Sequence, residues 1–142
     1  MADATVTLTG VIPSASADIR SGVCGVTIAA GQVLYIDTAN SNVLKLADQD
    51  AGSLLVGTVA GIALCGGATG QTIRYVTSDP ALTFPIAAMV VGDIVLLGNT
   101  PGGVTITPGD LVTGEFVTVI GVCTVAATTI NMKLVAAGAA KG

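Results

Sequence analysis

The chain has 142 residues, of which 51% are apolar, 3% aromatic and 10% charged, with a formal net charge of −4 and neither His nor Trp. That length fits one ordinary domain or two small lobes. The five cationic residues, scattered at Arg20, Lys45, Arg74, Lys133 and Lys141, form no basic patch for direct nucleic-acid binding, and the lack of His removes Ser-His-Asp and Cys-His catalysis within one chain.

The N-terminus, "MADATVTLTG", lacks the basic and apolar regions of a secretion signal, so no export is expected. Its alternation puts Val6 and Leu8 on one face and Thr5, Thr7 and Thr9 on the other, the period of a β-strand. "IPSASADIR" (Ile12 to Arg20) is small and polar and reads as a loop or arm. Residues 1–25 are therefore expected to be an N-terminal strand or arm. Residues 26–142 form the β domain.

Beyond residue 25 the chain repeats itself. Gly31-Gln32-Val33-Leu34-Tyr35-Ile36 matches Gly92-Asp93-Ile94-Val95-Leu96-Leu97. Turn residues follow in each case, Asn40-Ser41-Asn42 and Pro101-Gly102-Gly103, types that tolerate tight turns and positive φ. A strand comes next, Val43 to Leu46 or Val104 to Thr107. "VGTVAGI" from Val56 then parallels "FVTVIGV" from Phe116, setting Gly61 over Gly121. Last, Ile73-Arg74-Tyr75-Val76 parallels Met132-Lys133-Leu134-Val135. Two copies of a four-stranded unit result, at about 29–80 and 90–136. Helix signals are poor, and the longest candidate, "IAAMVVGD" (Ile86 to Asp93), is a turn or two at most. The tail "AAGAAKG" from Ala136 is expected to be loose.

The fold class is thus all-β: a compact β-barrel or sandwich of two duplicated units with an extended N-terminal segment. One unit alone buries too little apolar surface to be stable. Charged residues fall well below the roughly 25% usual in soluble domains, so shared burial with sister chains is expected. Ala51 to Ile73 carries no charge and is long enough to span a bilayer. Its glycines, its hydroxyls and the lack of flanking basic clusters argue against a membrane helix.

Three local patterns invite chemistry. Asp37-Thr38-Ala39 after an apolar strand looks like the aspartic-protease signature, whose mechanism shares a proton between two carboxylates. The second copy has Gly98-Asn99-Thr100 there, so the partner Asp is missing, and a turn cap explains Asp37. "GGATGQT" (Gly66 to Thr72) lacks the Lys and spacing of a phosphate loop and reads as a hairpin turn. Asp48 and Asp50, with Asp37 nearby, meet no Ca²⁺-ligand spacing. Cys24, Cys65 and Cys123 are an odd count without CxxC spacing and read as small hydrophobes, with a single pair left open. No enzyme activity, cofactor or metal is expected.

The stretches "AAGQVLYIDTANSNVLKLADQDA", "VGTVAGIALCGGATGQTIRYVTSD", "VGDIVLLGNTPGGVT" and "DLVTGEFVTVIGVCTVAATTINMKLVAAGAAK" resemble capsid decoration proteins of tailed bacteriophages, also called cement or head fibre proteins. The resemblance implies a β-rich homotrimer on the outer capsid surface of the virion. Such a trimer clamps neighbouring major capsid subunits, with no contact to nucleic acid or membrane. An alternative is a phage tail spike, tail fibre or host-recognition module. For capsid binding, the N-terminal segment supplies the candidate contacts Thr5, Val6, Thr7, Leu8, Ile19 and Arg20, adding a strand to a capsid subunit's sheet edge. Alternation equally allows "TVTLTG" to be an internal strand.

Overall fold

The structure, a computed structural model, describes residues 10–48, 59–98, 100–107 and 116–140. Thr5 to Leu8, Asp50 and residues 51–58 lie outside the described residues. Among the described residues nine strands form one curled antiparallel sheet, a half-barrel. They are β1 (Asp18–Val23), β2 (Val33–Asp37), β3 (Val43–Leu46), β4 (Gly61–Ala63), β5 (Thr72–Thr83), β6 (Ile94–Leu97), β7 (Val104–Thr105), β8 (Phe116–Val125) and β9 (Thr129–Ala140). The expected all-β class is what the chain adopts.

Neighbours in the sheet run β3-β2-β4-β5-β9-β8-β6-β7. Read outward from the β5–β9 pair, both halves give the same order: fourth strand of the unit, third, first, second. The duplication in the sequence is therefore a duplication of topology. Register repeats as well. Val33 faces Ile62 and Leu34 faces Gly61, and in the second unit Ile94 faces Val122 and Val95 faces Gly121.

Why the chain writes Gly31-Gln32 and Gly92-Asp93 at matching places is now visible. Each opens β2 or β6 from a four-residue turn. Gly31 and Gly92 are its third residues, at φ 86 and φ 94, where a side chain is strained. The next residue closes the turn twice. Its N–H donates to the first carbonyl (Gln32 to Ala29, 3.3 Å; Asp93 to Val90, 3.0 Å). Its side chain accepts from the first N–H (Gln32 Oε1 from Ala29, 2.8 Å; Asp93 Oδ2 from Val90, 2.9 Å). Both turns then bond the third strand of their unit, Gly31 N–H to the Ala63 carbonyl and Gly92 N–H to the Cys123 carbonyl.

The close approach of the third and fourth strands explains the other matched glycines. A Cβ on Gly121 would lie 2.6 Å from the Asn131 carbonyl oxygen, and one on Gly61 would strike the Val76 carbonyl oxygen. Both obstacles are backbone, which cannot rotate away. Gly61→Ala and Gly121→Ala are each expected to cost about 1–3 kcal/mol of stability as overpacking does, read from urea midpoints at unchanged m-value.

The structure corrects three expectations. Asp18 to Arg20, read as the end of a loop or arm, instead open β1, which pairs with β5 along Thr72 to Ser78, so Ile19 and Arg20 belong to the body of the sheet. The tail is not loose through Ala140, because β9 runs that far, with Ala136 opposite Thr118 and Ala140 opposite Phe116. Ile86 to Asp93, expected to hold a turn or two at most, makes two successive turns. Last, Ile73–Val76 and Met132–Val135 match in sequence but not in register. Ile62 faces Val76 in the first unit, whereas Val122 faces Asn131 in the second. The β8–β9 hairpin closes through a short turn at residues 126–128, and the longer β4–β5 loop displaces its partner strand.

Each unit also has a fifth, leading strand that the repeat did not reveal. In the first it is β1. In the second it is the latter half of β5, which pairs with β9 from Ser78 to Thr83. So β5 ends one unit and begins the next. The register shifts between Asp79 and Leu82, around Pro80, which lacks an N–H for the ladder.

Two apolar clusters form. The smaller holds Cys24, Ile28, Leu34, Leu44, Ala63, Ile73 and Tyr75 inside the first unit. The end of β1 closes over it by a parallel bridge from Cys24 to Leu44. The larger joins the two units, with Val33, Tyr35, Ile62 and Val76 from the first and Val95, Leu97, Ile120, Cys123, Ile130 and Met132 from the second. The β6–β7 turn fastens this junction. Val33 N–H donates to the Gly102 carbonyl (2.9 Å), and Gly102 N–H donates to the Ala47 carbonyl (2.8 Å).

Candidate interaction surface

Of the six residues expected to contact a partner, Ile19 and Arg20 are described. Ile19 lies opposite Val76 and Arg20 opposite Tyr75. Arg20 is exposed, and its Nη2 sits 3.3 Å from Asp18 Oδ2. β1 pairs with β5 alone along its length, so its second edge is open among the described residues, a place where an added strand can dock.

The segment ahead of β1 is pinned down. Val11 is buried. Ile12 and Thr83 exchange reciprocal backbone hydrogen bonds of 3.0 Å. Asp79, fully buried, accepts from Ser14 N–H (2.7 Å), from Ser14 Oγ–H, and from Ala81 N–H (3.0 Å). Burial alone would raise the Asp79 pKa, but these donors outweigh it and hold the carboxyl below its ordinary range. Any free arm is therefore confined to residues ahead of Val11.

Two of the three chemical patterns resolve as structural features. Asp37 ends β2. Its Oδ1 accepts from Ala39 N–H (3.1 Å), and its Oδ2 accepts from Asn40 Nδ2 (2.8 Å) and lies 2.8 Å from Lys45 Nζ. The Lys45 ammonium, then Asn40, hold its carboxyl below the usual range. A carboxylate so supplied with donors anchors a turn. The Gly66–Thr72 loop is likewise tied off. Gly67 and Ile28 exchange backbone bonds of 2.8 and 2.9 Å, Gly70 N–H donates to the Cys24 carbonyl, and Gln71 Oε1 accepts from Ala68 N–H. Among the described residues no three His, Cys, Asp or Glu side chains converge to hold a metal ion. The cysteines are free, and burial pushes the Cys24 and Cys123 thiols up, away from reactivity. No helix among the described residues is long and apolar enough to cross a membrane.

What remains is a surface that sequence reading missed. The first unit buries both faces of its strands, with Leu34 in the smaller cluster and Val33 in the larger, whereas the second leaves one face partly open. In the first, Val33 and Ile62 face the junction and are 0% exposed. Their counterparts Ile94 and Val122, paired in the same register, are 40% and 41% exposed. Val135, opposite the half-buried Val119 on the adjoining strands, is 55% exposed. Val90 and Val91, in the turn leading into β6, are exposed too. Exposed apolar side chains gathered on one part of a charge-poor body mark a contact site. Only alignment of the two units, with burial known for each, reveals it. Compared with known proteins, the chain matches no protein-family model and no curated protein.

Proposed function

We propose that the chain is a non-enzymatic structural protein of a tailed-phage head, a decoration protein that binds the outer capsid surface as a homotrimer and stabilises contacts between major capsid subunits. The observation that carries this reading is the open apolar face at Ile94 and Val122 on a charge-poor β body. Supporting it are the composition and the resemblance of nearly the whole chain beyond the arm. The tail-fibre or host-recognition alternative draws less support. Sugar-binding modules display aromatic side chains, and here Tyr35, Tyr75 and Phe84 are buried.

In this reading the capsid contact is made by Thr5 to Leu8 as an added strand, with β1, and so Ile19 and Arg20, presenting the open edge beside it. Threefold symmetry multiplies each weak contact through effective concentration. Removing residues 2–10 tests the assignment. The shortened protein is expected to keep its oligomeric mass while losing co-sedimentation with purified capsids. Retained capsid binding would refute the arm. Absence of the chain from purified heads by mass spectrometry would refute the capsid role.

A further inference from the structure

We propose that the Asp79–Pro80 peptide bond is a built-in scission site, where the chain cuts itself between its two units in acid once the contact from Ser14 to Asp79 opens. The bond lies where β5 passes from one unit to the next. Ahead of it β5 pairs with β1 as far as Ser78, and beyond it Leu82 and Thr83 pair with Ile130 and Thr129 of β9. A cut there leaves β1 to β4 on residues 1–79 and β6 to β9 on residues 80–142.

The chemistry is that of an aspartyl–prolyl bond. The link is a tertiary amide, and Pro80 has no N–H. In acid its nitrogen takes up a proton and becomes a leaving group. One oxygen of the ionised Asp79 carboxylate attacks the backbone carbonyl carbon of Asp79. The C–N bond breaks, and its electron pair goes to the protonated nitrogen, which departs as a secondary amine. A five-membered cyclic anhydride remains on Asp79. One water molecule opens it to a C-terminal Asp79 with both carboxyls free, so the sum is hydrolysis of one peptide bond.

The fold supplies the nucleophile and restrains it. The Asp79 side chain is buried and both of its oxygens are occupied. Oδ2 accepts from Ser14 N–H (2.7 Å), and Oδ1 accepts from Ser14 Oγ–H and from Ala81 N–H (3.0 Å). Turning either oxygen onto the carbonyl carbon of its own residue gives up these bonds. Pro80 and Ala81, by contrast, are exposed, so acid has access to the leaving nitrogen while the carboxylate is withheld. Ser14 stands on the segment held by buried Val11 and by the Ile12–Thr83 bonds, and opening that segment frees the carboxylate. Acid also loosens the restraint. Burial raises the Asp79 pKa, the Ser14 and Ala81 donors lower it further, and the contact is lost as pH falls through the depressed value. The charged groups nearest in register are Asp18 on β1 and Lys133 on β9, both opposite Ser78. Residues 11–17 carry no charge.

The test follows the intact mass of the full chain in dilute acid, with and without urea. Cutting through an opened state tracks the opened fraction, so the folded chain should be cut at least about tenfold more slowly than the urea-unfolded one. Both should yield residues 1–79 and 80–142. Ser14→Ala removes one donor to a charged acceptor, so without urea it should be cut about tenfold faster than wild type, and in urea at the wild-type rate. Asp79→Glu, whose longer side chain would need a six-membered anhydride, should stay intact in urea. Circular dichroism follows the fold in the same acid. Wild type that stays whole in urea, or Asp79→Glu that is cut as fast, overturns the scission site. Equal wild-type rates with and without urea, wild type already unfolded in that acid, or Ser14→Ala no faster than wild type without urea overturns the restraint by Ser14.

Discussion

Phe84→Ala is expected to lower the unfolding free energy by about 3–5 kcal/mol, the range for emptying a buried aromatic site. Phe84 is fully buried in the larger cluster, and its N–H donates to the Thr128 carbonyl at 2.8 Å. It follows β5 directly, so it sits where the second unit leaves its leading strand. The chain has only two Phe and two Tyr, and the neighbours of Phe84 in the cluster are chiefly Val, Ile, Leu and Met. Side chains of that size on strands fixed by ladder hydrogen bonds cannot close a ring-sized void. Phe84→Leu should cost under about 1.5 kcal/mol by keeping most of the volume. Chemical denaturation of the three proteins at equal m-value measures the difference. An alanine variant within 1 kcal/mol of wild type would mean that Phe84 does not fill the junction.

Asp79→Ala should cost roughly 3 kcal/mol, because it strands Ser14 N–H, Ser14 Oγ–H and Ala81 N–H beside a buried site, and hydrogen bonds to a charged acceptor are the stronger kind. The loss should fall on the N-terminal segment first, seen as faster hydrogen exchange at Ile12, whose bonds to Thr83 lie beside the Asp79 anchor. The pH dependence follows from sign. The folded carboxyl is held below its unfolded value of about 3.9, with burial opposing and Ser14 and Ala81 prevailing. A depressed folded pKa contributes stability above the unfolded pKa, and that contribution disappears as pH falls through the folded one. Wild type should therefore weaken progressively in acid, and Asp79→Asn should show a flatter profile. The remaining slope belongs partly to Asp37, lowered by Lys45. Thermal melts across the carboxylate range decide it. Identical slopes in both proteins would mean that Asp79 is not the acid-sensitive anchor.

Much of this architecture was legible in the sequence, because Gly31 and Gly92, and Gly61 and Gly121, fall at matching places in the two units and each pair does the same backbone task. The Gly31 and Gly92 turns are the clearest case. β1 was not legible. "IPSASADIR" has no apolar alternation, and the strand is held by a ladder to Thr72 to Ser78 that depends on backbone alone. The end of β9 was hidden likewise, since a run of Ala and Gly lacks a face to read. The candidate surface was hidden for the opposite reason. "VLYI" and "IVLL" are apolar on both sides, and an unbroken apolar run does not say which face turns inward. Asp79 gave no signal because its partner, Ser14, is 65 residues away.

The sharing of β5 sets how the molecule comes apart. Its first half completes one unit and its second half opens the other, so neither unit can lose that strand without exposing the interior of both. The two units are thereby joined into one body. Denaturation is expected to be all-or-none across the repeat boundary rather than stepwise along it, read as coincident transitions by two spectroscopic probes.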